Sequence, residues 1–331
     1  MSVRESAFFF ECRGESLLGL VSTPADEAAG AAGLGVLIVV GGPQYRVGSH
    51  RQFALLARHL AGEGIPCMRF DYRGMGDSSG AACGFEEIDD DLRAALDTFH
   101  ERVPGLRGVV LWGLCDGASA AAFYAPTDRR VAGLVLLNPW VRTEAGEART
   151  YLWHYYLRRL FSVAFWKKLA GGGVALGRAL GEIRQRLAQL RGSAPATQGE
   201  ARAVAQAALP LPERMLAALW TGGLPRLLIL SGRDYVAQEF EQVLAGAAWG
   251  TLHPPSAIHR LPEADHTFSS APWRDEVARQ TACWLRTLSA QLPDSQGSAG
   301  EKHDVHAGYA PPDSPGAAAR PVGRGDGPAT G

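Results

Sequence analysis

No stretch of this chain is apolar for long enough to cross a bilayer, which takes roughly 18 uninterrupted residues. The opening segment, MSVRESAFFFECRGE, has only a short apolar run broken by Glu11 and Arg13, which is not the apolar core of a signal peptide. Cysteine is sparse: Cys12, Cys67, Cys83, Cys115 and Cys283 lie scattered over 331 residues, with no C-x-x-C pair and no metal-ligand spacing. An odd, thin set of this kind reads as thiols in a reducing compartment, and the expected location is cytoplasmic. Excess charge of one sign is missing too. With a formal net charge of -1, no global field recruits nucleic acid. No cofactor or metal is expected.

Hydrophobic residues, at 46%, are plentiful enough for a sizeable core. AFFFEC (7–12) and SLLGLVSTP (16–24) flank Arg13–Gly14–Glu15 and read as a β-hairpin. GVLIVV (35–40), PCMRFDYRG (66–74), GVVLWG (108–113), VAGLVLLNP (131–139) and RLLILSG (226–232) each centre on an apolar run, the mark of strands covered on both faces. A shorter strand is expected at AIHRL (257–261). Ser49 with Gln52 three residues on predicts a capped helix start. FEEIDDDLRAALDTFH (85–100) and residues 273–290 have helical periodicity. Strands alternating with helices predict an α/β fold on a mostly parallel, doubly wound sheet.

Two segments break this rhythm. Residues 140–222 carry helix-like sequence with glycine-rich joints and read as an inserted helical cap, leaving 1–139 and 223–291 as the core. From 292 to 331 the chain is rich in Gly, Ala, Pro and Ser, has almost no large apolar residue, and is expected to be a disordered tail.

The chemistry centres on LWGLCDGASA (111–120), a G-x-C-x-G in the position of a G-x-S-x-G nucleophile elbow, between a buried strand and a helix of small residues. Gly113 and Gly117 relieve crowding around a strained nucleophile. A thiol at a helix N-terminus is also where thiolate is favoured. Cys115 is therefore the expected nucleophile. Acid and base follow such a nucleophile in that order. Asp234 lies just past the fifth buried strand, and His266 lies in EADHTFSSAPW, before the last helix. Asp265 is an alternative orienter, although an adjacent residue rarely reaches its neighbour's Nδ1. Oxyanion donors are expected from the N–H of Asp116 and from GGPQYR (41–46), where Pro43 has none and Gln44, then Tyr45, are candidates. Asp71 and Arg73, in FDYRGMGDSSG (70–80), are expected to fix their loop by ion pairing.

Together FDYRGMGDS, the elbow and ADHTF resemble the α/β-hydrolase superfamily over roughly residues 5–290. More narrowly, GGPQYRVGSHRQF, GLCDGASAA and LSGRDYVAQEF resemble the exosortase A system-associated hydrolases of the first type. That resemblance implies a triad of Cys115, Asp234 and His266 and a link with bacterial exopolysaccharide production. The common superfamily box carries Ser where Cys115 stands, and its acid loop puts two residues, not one, between Gly and Asp.

Residues 148–192 hold nine Lys or Arg, Arg158 and Arg159 among them, against Glu182 alone. A solvated lid face is one reading. The other is a roof for an anionic or lipid-linked acyl substrate, or a dock on anionic membrane. The activity expected is hydrolysis of an ester or thioester through an acyl-enzyme on Cys115. Acyl transfer at the same thiol and a non-catalytic scaffold are the alternatives.

Overall fold

The computed structural model describes residues 2–25, 33–42, 44–141, 209–221, 223–245 and 256–291. Arg158, Arg159 and most of the expected cap therefore lie outside the described residues, as does the expected tail.

The first two strands, β1 (Val3–Cys12) and β2 (Glu15–Pro24), form the expected hairpin, antiparallel and in continuous register. Its two-residue turn is Arg13–Gly14, both with positive φ, the geometry that matches strand twist. Six further strands follow: β3 (Leu34–Val39), β4 (Cys67–Phe70), β5 (Gly108–Leu114), β6 (Val131–Leu137), β7 (Arg226–Ser231) and β8 (Ser256–Leu261). They make one eight-stranded sheet in the order β1-β2-β4-β3-β5-β6-β7-β8. Only the β1–β2 and β2–β4 pairs are antiparallel. Every residue of β3, β4, β5 and β7 is buried, Arg69 of β4 and Arg226 and Ser231 of β7 included, as strands covered on both faces require. Edge strand β1 instead alternates, burying Phe8, Phe10 and Cys12 and exposing the residues between.

Six helices are described: α1 (Gln52–Gly62), α2 (Asp89–Arg102), α3 (Asp116–Tyr124), α4 (Leu211–Thr221), α5 (Tyr235–Ala245) and α6 (Ala271–Gln291). α1 and α6 pack together on one face, where Trp112 of β5 meets Phe53 edge-on and donates to Thr281 Oγ1 at 3.4 Å. On the other face α3 lies on β5 and β6, flanked by α2 and α4. α4 falls inside the segment expected as cap, yet it buries Met215 and Leu219 and packs on α3.

Two local expectations are corrected. Ser49 does not cap a helix. Residues Ser49–Arg51 form a 3-10 turn with His50 and Arg51 left-handed, and α1 begins at Gln52. The carbonyl of Val47 receives the N–H groups of Phe53 and Ala54 in place of a side-chain cap. Asp71 and Arg73 do fix their loop by ion pairing, as expected. Asp71, fully buried, pairs with Arg46 and accepts its backbone N–H at 2.6 Å. Arg73 forks onto the buried Asp91 of α2, with contacts of 2.7 and 3.0 Å. α2 itself starts at Asp89 rather than at residue 85.

Candidate active site

The β5–α3 junction forces Cys115 to φ 60, ψ -126, a conformation that non-glycine residues adopt only when their surroundings impose it. Those surroundings are glycines. A Cβ on Gly117 would stand 2.6 Å from the Val39 carbonyl, and one on Gly113 would sit on the Gly117 carbonyl. The elbow is thus pressed against both β3 and its own helix, as anticipated for glycine at those positions. Cys115 is half-buried and takes part in no disulfide, while Cys67 is enclosed and burial pushes its thiol well above the ordinary range.

Asp234 follows β7 at the head of α5. Its carboxylate accepts from the N–H of Val236 at 3.1 Å and of Ala237 at 3.2 Å, so the first turn of the helix fixes both oxygens. His266 Nδ1 lies 2.7 Å from Asp234 Oδ2. A proton on Nδ1 satisfies that contact and leaves the lone pair on Nε2. Asp265 does not orient the ring. It accepts from Ser269 N–H at 2.9 Å and from the Ser269 hydroxyl, closing its own loop.

The elbow and the His266–Asp234 pair meet at the end of β6. Cys115 N–H donates to Leu137 O at 2.9 Å, and Trp140 N–H donates back to Cys115 O at 3.3 Å. Between them stands Asn138, fully buried, with φ 42. Its amide donates to Ser231 Oγ at 2.8 Å and to His266 O at 3.1 Å, and its Oδ1 accepts Ser231 N–H at 3.0 Å. Sequence reasoning passed over Asn138. The only signal is a polar residue closing a run of buried apolar ones.

The oxyanion side departs from expectation in one respect. Asp116 was singled out for its N–H, yet its side chain matters as well. The carboxylate accepts from Gly42 N–H at 2.8 Å and Gly117 N–H at 3.0 Å, and it faces its own N–H. Burial raises its pKa, opposed by those N–H bonds and by the nearby His266. Gly42 is therefore tied to the elbow, leaving Gln44 and Tyr45 further along the loop. Gln44 Oε1 accepts Ser49 N–H at 3.2 Å, and Arg46 anchors the loop's end through Asp71 and Asp77.

Among the described residues no group of three His, Cys, Asp or Glu is gathered to hold a metal, and no helix is long and apolar enough to cross a membrane. A thiol on a strained turn, an imidazole held by a carboxylate, and N–H groups at a helix start are parts that acyl chemistry can use.

The family model described as "Hydrolase_4: Serine aminopeptidase, S33" matches residues 36–239, which include Cys115 and Asp234 and stop before His266. No curated protein matches the chain. Among solved structures, the Pyrococcus furiosus esterase Pf2001 is 14% identical with a TM-score of 0.59, covering 86% of this chain and 92% of that one. Est1E of Butyrivibrio proteoclasticus, solved with ferulic acid, is 15% identical with a TM-score of 0.56, over 86% of this chain and 100% of that one. DcsB, solved with a substrate analogue, is 18% identical with a TM-score of 0.56, over 86% and 99%. At these identities the likeness is one of fold.

Proposed function

The chain belongs to the Hydrolase_4 (serine aminopeptidase, S33) family of α/β-hydrolases, and on that premise we propose that it hydrolyses an ester or thioester through a covalent intermediate on Cys115. One observation carries the reading. The strained Cys115 and the His266–Asp234 pair flank the same strand end, joined through Leu137 and Asn138.

In the proposed cycle His266 Nε2 takes the thiol proton and Cys115 Sγ attacks the acyl carbon. Asp234 holds the ring and stabilises the imidazolium. The developing oxyanion is received by Asp116 N–H and a donor from the Gln44 loop. Collapse expels the alkoxide or thiolate, which takes the proton from His266, and leaves an acyl thioester on Cys115. His266 then deprotonates water, which attacks the thioester, and the acid departs as the thiol is regenerated.

Cysteine in place of the family's serine is the feature under test. Cys115→Ala should keep the fold and abolish turnover of short acyl esters and thioesters. Cys115→Ser should retain weak esterase activity, roughly 10²-fold down, about 3 kcal/mol of transition-state stabilisation. Mass spectrometry of the parent quenched in turnover should find the acyl group on Cys115. Parent-like turnover by the alanine variant would remove the thiol from the mechanism.

We further infer the exosortase and exopolysaccharide setting, resting on the motifs at 41–53, 113–121 and 230–240 alone. Unchanged secreted polysaccharide in a strain lacking the protein would dismiss it.

A further inference from the structure

The N–H group that follows the proposed nucleophile is one an acyl oxyanion needs, and here it already faces a carboxylate. Both oxygens of the Asp116 side chain are engaged. Oδ2 accepts Gly42 N–H at 2.8 Å and Oδ1 accepts Gly117 N–H at 3.0 Å, while Asp116 N–H faces the same group. We propose that this carboxylate is a built-in occupant of the oxyanion site, which the carbonyl oxygen of an acyl substrate must displace before Cys115 can react. The inference rests on the ester or thioester reading of Cys115 and adds to it a residue that restrains the reaction.

An acid in the first turn of a helix commonly serves the N–H groups of that helix. Asp116 does so only for Gly117. The N–H groups of Ala118 and Ser119 are taken by Cys115 O, at 3.0 and 3.2 Å. The carboxylate reaches instead across the elbow to Gly42, just past β3, on the loop expected to bring the second oxyanion donor. Glycine clears its place, since a Cβ on Gly41 would collide with Asp116 Oδ1. N–H groups from two separate elements thus converge on one anion beside the thiol, which is the arrangement an oxyanion hole offers.

The occupant is held but not locked. Burial works against the anion and raises its pKa even with those N–H bonds in place. Asp116 is half-buried rather than enclosed, and a turn about its χ1 takes the carboxylate off the N–H groups. While it stays, an oxyanion on Cys115 would share its donors with a like charge, which repels it. Displacement costs the carboxylate its hydrogen bonds, and binding of the rest of the substrate must offset that cost. An acyl compound that meets the thiol without such binding is therefore turned over slowly.

The test uses the full chain with Asp116→Ala, which empties the site, and Asp116→Asn, which keeps the shape and removes the charge. Acylation by p-nitrophenyl acetate is followed as the pre-steady-state burst. It should be at least roughly tenfold faster in Asp116→Ala, since one oxyanion donor is worth about 10²–10³ in rate, with Asp116→Asn in between. A role confined to holding the loop or the helix predicts the opposite sign. A second readout does not depend on the thiol. Sodium formate, matching the carboxylate removed, is titrated against sodium chloride at equal ionic strength. It should move the Gly42 amide signal saturably in ¹⁵N-glycine-labelled Asp116→Ala and leave that of the parent unmoved. Acylation unchanged or slower in Asp116→Ala, or no formate response there, would each overturn the proposal. Where the alanine chain fails to fold, an Asp116→Asn burst no faster than the parent's has the same force. A formate response with no acylation of any of the three proteins would keep the occupied site and remove the Cys115 reading instead.

Discussion

Asn138→Ala tests whether the end of β6 holds the proposed base in place. The substitution removes three hydrogen bonds at once, two from the amide nitrogen and one to Oδ1. Ser231 is buried, so its N–H is left without a partner, at a cost of about 1–3 kcal/mol. Alanine also tolerates φ 42 less well than asparagine, which adds on the order of 1 kcal/mol. Together these predict a loss of about 2–4 kcal/mol and a fall of roughly 5–10 °C in melting temperature.

The catalytic consequence is separable from the structural one. Freed from Asn138 Nδ2, the carbonyl of His266 lets the ring drift, and a displacement of ~1 Å at a reacting group costs up to about 10²-fold. The expected outcome is a fall in kcat of roughly 10- to 100-fold with KM nearly unchanged, measured on a short p-nitrophenyl ester well below the new melting temperature. The variant is then combined with His266→Ala. If Asn138 acts through His266, it should cost nothing further in that background. Full activity in Asn138→Ala, or equal losses with and without His266, would refute the positioning role and leave only a structural one.

Gly41→Ala should lower the melting temperature and cut turnover at least roughly tenfold, because its Cβ would stand 2.5 Å from Gly117 N and 2.7 Å from Leu114 O. A variant as stable and active as the parent would show that the 41–42 loop does not need its close seat on the elbow. Asp116→Asn should speed iodoacetamide labelling of Cys115 at neutral pH, because it removes a carboxylate beside the thiolate. Since folding raises the Asp116 pKa, the folded state binds its proton more tightly than the unfolded one. That group's share of stability therefore falls as pH rises from its ordinary value through its folded value, and the variant should lose that slope in pH-dependent unfolding curves. Identical pH profiles would mean that the carboxyl titrates as it does in water.

The strands were legible because burial on both faces demands short apolar runs such as those in GVLIVV and RLLILSG, bounded by turn residues. Positions set by long-range partners were not. The ion pairing of Asp71 and Arg73 was expected, but their partners Arg46 and Asp91 are brought near only by the fold. The start of α1 was hidden for a different reason. His50 and Arg51 take left-handed backbone angles that neither residue type announces, and the first turn is capped by a backbone carbonyl that leaves no trace in side-chain pattern. The contact of Asp234 with His266 could be anticipated despite its short spacing from Gly232, because a strand end followed by a helix start narrows the choices to a few residues. Asp116 shows the opposite limit. Its proposed backbone role follows from position alone, while the reach of its carboxylate to Gly42 depends on how closely two loops approach.

That approach is governed by sheet register. Leu114 pairs with Leu137 across β5 and β6, and Leu137 pairs with Ile229 across β6 and β7. The residues just beyond these pairs are Cys115, Asn138 and, on β7, the stretch to Ser231 that Asn138 holds. A slip of β6 by one residue would turn its side chains to the opposite faces and move the bond from Cys115 to Leu137 away from the one between Asn138 and His266. The spacing between elbow and base loop is thus fixed by pairings buried on both faces, which tolerate no such slip. Segments attached beyond these strand ends are then free to vary in length and charge without disturbing that spacing. On this fold, the chemistry of substrate choice is separable from the chemistry of bond cleavage.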